Sequence, residues 1–443
     1  MAKLHSLPSP FLCVYNIFLR ISLISSNHRN NYEYNTMDRP FFVLKCIIVI
    51  IVIERCDKKM KKNTYRVSLF CIVTGLYWFS LYTYVPILSP YAEALGASHK
   101  MVGMIIGSYG FAQMLLRIPL GVMSDKMGNR KLFIILGIVS SLVSSLGMWF
   151  FKKPAMILLF RSLSGVAASS WVAYTILFSS YFEQKDTAKA LGIINAFSAL
   201  GQMSAMLAGG YAAQRFGQEA TFLAASISGV IGLAISFGIF EQRKMDREPL
   251  TVPQLLSVAG NRDLLIVSGL AILVQFITFA TVYGFTPVAA KQIGASDAQL
   301  GLLTAFSTLP TIFSSAISGS VVAKRFGEKR VIVASFIIIS ASCAVIPFSK
   351  DINILYISQA IGGLGRGLLF PLLMSLCIKS IDSSKRATAM GFFQAIYGLG
   401  MFMGPVITGV ISDAAKLLWG FLVSAATGLI GALISHLFVK EEP

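Results

Sequence analysis

Three arginines lie well inside long apolar stretches: Arg117 in "LLRIPLG", Arg161 in "LLFRSLSG" and Arg366 in "GGLGRGLLFP". A guanidinium in a low-dielectric interior is costly, so each must face protein or water rather than lipid. The chemistry open to such groups is to line a solute path, to hold an anion, or to order a water chain that passes protons. The acids are placed differently: Glu93, Asp125, Glu183, Asp186, Glu219, Asp263 and Asp297 all sit in loops or at the ends of apolar runs. Arg117 lies one turn before Gly121 and is expected to snorkel to the membrane surface. Arg161 lies deeper and is read as path-lining or coupling, and its counterpart later in the chain is the neutral Gln359. For Arg366, in a glycine-rich segment, path-lining and structural roles stand equally. The further polar or aromatic residues inside apolar runs are Tyr77, Trp78, Tyr82, Gln113, Trp171, Asn195, Gln275 and Gln394. Aromatic and amide lining with scattered arginine suits a moderately apolar organic substrate that tolerates a negative charge. Ordinary helix packing would use the same aromatic stripes.

The elements that position these residues follow from composition. The chain has 443 residues, 55% hydrophobic and 13% charged, with a mean hydropathy of +0.71. A soluble chain carries about 25% charged residues, so this one reads as a polytopic membrane protein. Only helices and closed barrels satisfy backbone groups in lipid. Apolar runs of about 20 residues, rather than alternating runs of about 10, select helices. The net charge of +18 sits in short loops, which is a topology signal and not a nucleic-acid face. The cysteines at positions 13, 46, 56, 71, 343 and 377 form no CxxC pair, and the histidines at 5, 28, 99 and 436 form no ligand cluster. No disulfide framework, metal site or haem site is implied. An enzyme would need clustered acids, histidines or a nucleophile with its base, and none appears.

Twelve spans are expected, at 66–88, 101–123, 132–151, 155–178, 189–211, 219–240, 264–287, 299–321, 331–349, 353–377, 388–410 and 416–438. The polar segment 241–263 divides them six and six, giving bundles at 60–240 and 264–443 joined by a linker. Counting from Lys58, one set of loops holds about 22 Lys and Arg and the other about 7. That bias places both ends of the twelve-helix core, and the linker, in the cytoplasm. Residues 1–59 hold no clean span and are read as an upstream extension ahead of a native start near Met60. The rival reading is one further span at roughly 41–54.

The halves resemble each other at an offset of about 198: "LGASHKMVG" faces "IGASDAQLG", and "AKALGIINAFSALG" faces "ATAMGFFQAIYGLG". Two bundles related by an axis along the membrane normal, with a path between them, would produce this repeat. Between spans 2 and 3, "GVMSDKMGNRKL" places Gly121, Asp125, Lys126, Gly128, Arg130 and Lys131 in one turn. Here the chain resembles the major facilitator superfamily, whose signature at this point is Gly-x-x-x-Asp-Arg/Lys-x-Gly-Arg-Arg/Lys. Arg161 and Gly165 match its span-4 pattern.

The resemblance covers residues 60–440 and implies an all-α fold of twelve transmembrane helices in two pseudo-symmetric six-helix bundles. It implies a secondary transporter of the inner (plasma) membrane, working by alternating access as a monomer without a cofactor. Efflux of small organic molecules, drugs included, is the expected traffic. Uptake or exchange of a metabolite and a non-transporting sensor are the alternatives. It implies that Asp125 latches to the start of span 11 near Ala387, that Gly121 allows a helix to come close, and that Arg130 holds the Asp125 rotamer. The repeat copy has Lys324 in place of the acid. The efflux branch's span-5 pattern keeps Gly201, Gly209 and Gly210 but lacks its Gly-Pro. Span 11 instead carries Gly400, Gly404 and Pro405; both sets are read as helix-bending positions, with ordinary close helix packing an equal alternative. With no buried mid-span acid, coupling to a proton or another ion through Glu93 or an arginine-linked water chain, facilitated exchange, and antiport of an anionic substrate all stay open.

Overall fold

The computed structural model describes residues 64–183, 186–241, 260–379, 381–382 and 385–439. Residues 1–59 and most of the linker 241–263 lie outside them. Twelve helical spans run through the described residues: α1 (Tyr65–Ala94), α2 (His99–Met127), α3 (Arg130–Phe150), α4 (Pro154–Ser179), α5 (Lys189–Phe216), α6 (Ala220–Ser236), α7 (Arg262–Gln292), α8 (Asp297–Phe326), α9 (Glu328–Phe348), α10 (Ile352–Lys379), α11 (Thr388–Ala415) and α12 (Leu417–Phe438). All but α6 are long and apolar enough to cross a membrane, and α6 is apolar over its 17 residues.

Several helices outrun the expected apolar segments because polar residues cap them. Ser98 accepts from the Met101 N–H at the start of α2. Ser296 forms a reciprocal capping box with Gln299 at the start of α8, at the same place in the repeat. Asn129 accepts from Leu132 N–H at the start of α3. The tight turns repeat as well. Positive φ occurs at Gly96 and Gly294, at Gly128 and Gly327, and at Gly217 and Lys416. Each pair is separated by 198 or 199 positions in the chain. Lys416 holds at φ 81° a conformation that glycine adopts freely and a lysine does not.

The packing has the same two-fold pattern. Within the first half, α2 packs on α4, α3 on α4 and α6, and α1 on α5. Within the second half, α8 packs on α10, α9 on α10 and α12, and α7 on α11. Across the halves, α2 packs on α11 and α5 on α8. The chain therefore folds as two pseudo-symmetric bundles of six helices. One apolar core lies among α7 and α9–α12, with Ala323 of α8. The other fills the first half and continues across the interface to Phe279, Leu300 and Met401.

Proline breaks two corresponding helices. Proline has no N–H and its ring displaces the carbonyl four residues earlier. In α1 the regular helix stops at Tyr82, four residues before Pro86, and resumes at Val85. In α7 a π turn covers Thr281–Phe285, with Tyr283 four residues before Pro287. The Tyr283 carbonyl, freed by Pro287, accepts from the Ser89 hydroxyl of α1 at 3.3 Å. The two breaks thus face each other across the halves.

Candidate functional site

The turn between α2 and α3 is held by charge. Arg130 Nη2 donates to Asp125 Oδ1 at 2.8 Å, and both side chains are mostly buried. Glu241, beyond α6, accepts the backbone N–H groups of Arg130 and Lys131 at 2.6 and 2.9 Å. A carboxylate at a helix N-terminus is favoured by the helix dipole and satisfies orphan donors. Lys131 Nζ donates to the Phe237 carbonyl at 2.7 Å. Lys126 is exposed, and Gly128 takes the left-handed conformation that ends α2. Sequence reading missed Glu241, although an acid just beyond the end of a neighbouring helix was its visible sign. The expected partner of Asp125, near Ala387, adjoins positions 383–384 and the Ala387 side chain, which are outside the described residues.

Gly121 does not mark a close approach here. A Cβ placed on it would meet only Val172 Cγ1, at 3.9 Å and within the same half. Gly192 and Gly319, also toward the basic end, have nothing within 4 Å. At the other end the same helices touch backbone to backbone. A Cβ on Gly107 would lie 2.7 Å from the Phe402 carbonyl oxygen, and one on Gly110 2.8 Å from the Met401 carbonyl carbon. Gly210 of α5 and Gly301 of α8 oppose each other, so that a Cβ on Gly210 would lie 2.8 Å from the Gly301 Cα. The halves are therefore pressed together at the end carrying the α1–α2 and α7–α8 turns.

A polar cluster seals that end. Asp413, near the end of α11, accepts the backbone N–H groups of His99 and Lys100 at 2.8 and 2.9 Å. The His99 ring sits between Asp413 (3.2 Å) and Glu93 (3.0 Å). On the other flank, Asp297 pairs with Lys291 at 2.7 Å and accepts from Gln218 at 3.1 Å. Glu93 is thus tied up between the halves, which sequence alone did not reveal.

The interior residues fall into three groups. The first is aromatic and belongs to the first half. The Tyr77 hydroxyl donates to the Ala167 carbonyl, and its ring stacks on Tyr174. Trp78 lies 5.1 Å from Trp171 and 5.6 Å from Tyr82, ring to ring, and its Nε1 has no partner among the described residues. The second group surrounds Arg161, which is 3% exposed. Its Nη1 donates to the Tyr84 hydroxyl at 3.2 Å, and its guanidinium lies 4.6 Å from the Tyr109 ring centre. Gly165, one turn on, lets the α2 backbone at Tyr109 and the Ala112 side chain come close. The third is Arg366, buried, whose Nη2 donates to Ser307 at 2.6 Å.

Arg117 departs from expectation. It is buried and does not snorkel. Its Nη1 crosses to the Tyr397 hydroxyl of α11 at 3.0 Å. Tyr397 lies at the interruption of α11, between Ile396 and Gly398, which turns its hydroxyl toward α2. Gln113 and Gln359 are buried, Gln275 and Gln394 half-buried, and Asn195 exposed. The glycines read as bends or as packing positions are places of close approach. α5 is one unbroken helix through Gly201, Gly209 and Gly210, packed against Gly75, Thr83 and Gly301 respectively. Gly400 and Gly404 admit the α7 backbone at Ile272 and Phe276, and Pro405 lies within a continuous helix facing Gly103.

Comparison with known proteins agrees with this architecture. The sequence pattern described as the Major Facilitator Superfamily matches residues 70–285 and 268–443, two stretches that overlap within α7. The chain belongs to the Major Facilitator Superfamily. Among its superfamily relatives is the MFS-type transporter MJ1560 of Methanocaldococcus jannaschii, 24% identical over 396 residues, covering 86% of this chain and 100% of that protein. The quinolone resistance protein NorA of Staphylococcus aureus is 26% identical over 166 residues, covering 38% of this chain and 42% of its own length. The crystal structure of the nucleoside transporter NupG superposes with a TM-score of 0.67 at 14% identity, covering 85% of this chain and all of that one. A bacterial homologue of the human lysosomal transporter Spinster, in an inward-facing and occupied conformation, superposes with a TM-score of 0.69 at 15% identity, covering 86% and 97% of the two chains. As a superfamily member the protein is an integral membrane transporter.

Proposed function

We propose that this superfamily member exports small organic solutes, drugs included, by alternating access between its halves, with the closed end facing outward. The asymmetry of the interface carries the reading. Glycine-lined helices meet at one end, while Gly121, Gly192 and Gly319 toward the other have open space. Two rigid bundles joined at one end can rock about the centre and exchange which end is sealed. The bias of Lys and Arg supports a cytoplasmic placement of the open end, the linker and both ends of the core, in an inner or plasma membrane. The bundles then correspond to 60–240 and 264–443, acting as a monomer without a cofactor. The similarity of part of the chain to a quinolone resistance protein supports export of drugs.

In this reading Gly121, Asp125, Lys126, Gly128, Arg130 and Lys131 form the switch that seals the open end in the other conformation. Arg161, Arg366 and the aromatic residues at the centre of the interface contact the solute. Antiport with a proton or ion would use groups at the span ends, since the spans carry no acid at mid-depth. The test is purified protein in proteoliposomes loaded with a fluoroquinolone or ethidium, with a pH gradient imposed. The expected result is gradient-driven movement from the side bearing the basic loops. Movement of no solute under any gradient would overturn the proposal, and gradient-independent movement would replace antiport with facilitated exchange.

A further inference from the structure

The interior of this protein has an unbalanced charge. Arg117, Arg161 and Arg366 are all buried, and no carboxylate lies within ion-pair distance of any of them among the described residues. Arg117 reaches a tyrosine hydroxyl across the halves. Arg161 and Arg366 remain, one on the fourth helix of each half, each with one neutral hydroxyl as its hydrogen-bond acceptor. A guanidinium offers five donors and cannot shed its charge. In a low-dielectric interior such a group calls for an anionic partner.

From Arg161 an aromatic ladder runs across the interface. Arg161 lies over Tyr109 of α2. Tyr109 stacks on Phe279 of α7 at 6.0 Å and 18°. Phe279 meets Tyr283 at 5.1 Å, and Tyr283 meets Tyr82 of α1 at 6.1 Å. Arg366 of α10 lies against Ser307 of α8, in the half that supplies Phe279 and Tyr283. Next to Tyr82, the buried Trp78 Nε1 is a further donor without an acceptor among the described residues. Both proline breaks, after Tyr82 and around Tyr283, fall in this ladder, where backbone geometry is least regular.

We propose that the solute is an organic anion with a flat, largely apolar body. Its acid group is held by Arg161 or Arg366, and its ring lies against the Tyr82, Tyr109, Phe279 and Tyr283 ladder between the halves. The assignment rests on the transport reading and names the solute class for it. An organic cation would meet two guanidinium groups and no carboxylate. A neutral solute would leave both guanidinium groups as they are. Because the ladder draws on both halves, an anion bound there contacts both moving bodies, as a solute that is carried across must.

The test uses full-length protein in detergent and the quenching of its tryptophan fluorescence, since Trp78 and Trp171 adjoin the ladder. The probes are 1-naphthoate, 1-naphthamide and 1-naphthylmethylammonium, together with a panel of other aromatic acids and their amides. Acids are expected to bind at least about tenfold more tightly than their amides, which is ~1.4 kcal/mol. Arg161→Gln and Arg366→Gln should each reduce that preference while leaving amide affinity in place. A purely structural role would weaken acid and amide together. Arg161→Lys and Arg366→Lys, which keep the charge, should retain part of the preference and serve where a glutamine variant does not fold. Equal binding of acid and amide across the panel, or a preference for the ammonium probe, would overturn the assignment. Proteoliposomes separate the two readings. Carriage of ethidium with exclusion of every acid sinks the anion assignment alone, whereas carriage of nothing sinks the transport reading.

Discussion

Asp413 caps a helix in the opposite half: its carboxylate accepts the N–H groups of His99 and Lys100 at 2.8 and 2.9 Å. The sequence separates Asp413 and His99 by 314 positions. Two charge-assisted bonds to orphan donors, aided by the α2 dipole, give this contact about 1–2 kcal/mol. Asp413→Ala should therefore loosen the sealed end. Amide hydrogen exchange at His99 and Lys100 is expected to accelerate by about tenfold, which is ~1.4 kcal/mol, while exchange in mid-α9 stays unchanged. Unaltered protection at His99 and Lys100 would mean that the cap does not hold this end.

The His99 ring bridges two acids of that seal. Nδ1 faces Asp413 and Nε2 faces Glu93. His99→Ala removes both contacts while leaving the Asp413 cap on the backbone N–H groups in place. Exchange protection in the α1–α2 turn should fall in that variant, and less than in Asp413→Ala. Native protection in His99→Ala would show that the ring does not hold the seal.

Glycine positions at the two ends should respond in opposite ways. A Cβ on Gly110 would press into the Met401 backbone, so Gly110→Val should cost about 1–3 kcal/mol and drive the sealed end apart. Gly121→Ala meets only Val172 at 3.9 Å and should leave thermal stability within about 0.5 kcal/mol of native. If Gly121 becomes a contact once the other end closes, the same variant should slow transport. Native transport rates in Gly121→Ala would remove that position from the switch.

Asp125→Asn breaks the ion pair with Arg130 while leaving the turn's Glu241 cap in place. The pair is partly screened, so stability should fall by only about 1 kcal/mol. Membrane insertion should be normal and solute turnover slower. Arg130→Gln should give a similar defect, and the double variant should be less than additive because both act on one contact. Full additivity would show that the two residues serve separate functions.

Much of the fold was legible in the sequence. Spans of about 20 apolar residues, a six-plus-six division and a repeat near 198 positions depend on composition and spacing. The repeat reached down to local chemistry: Ser98 and Ser296 cap corresponding helices, and Gly96 and Gly294 take the same positive φ. The six-residue cluster from Gly121 to Lys131 was legible too, because loop charges stand out in an apolar chain.

What tertiary structure alone decided is which distant groups meet. Arg117 looked like a residue that would reach the surface, yet it stays buried because Tyr397 presents a hydroxyl from the other half. Glu93 looked like a lone acid at a span end, yet it faces His99 beside a carboxylate from α11. Gly201, Gly209 and Gly210 suited bends and close packing alike, and the structure shows them where other helices come close along a continuous α5. Hydropathy and spacing report how each segment meets lipid and water, a property local to the chain. Pairing across the halves depends on how two bundles are placed against each other, and that geometry is set by backbone-to-backbone contacts between segments hundreds of residues apart.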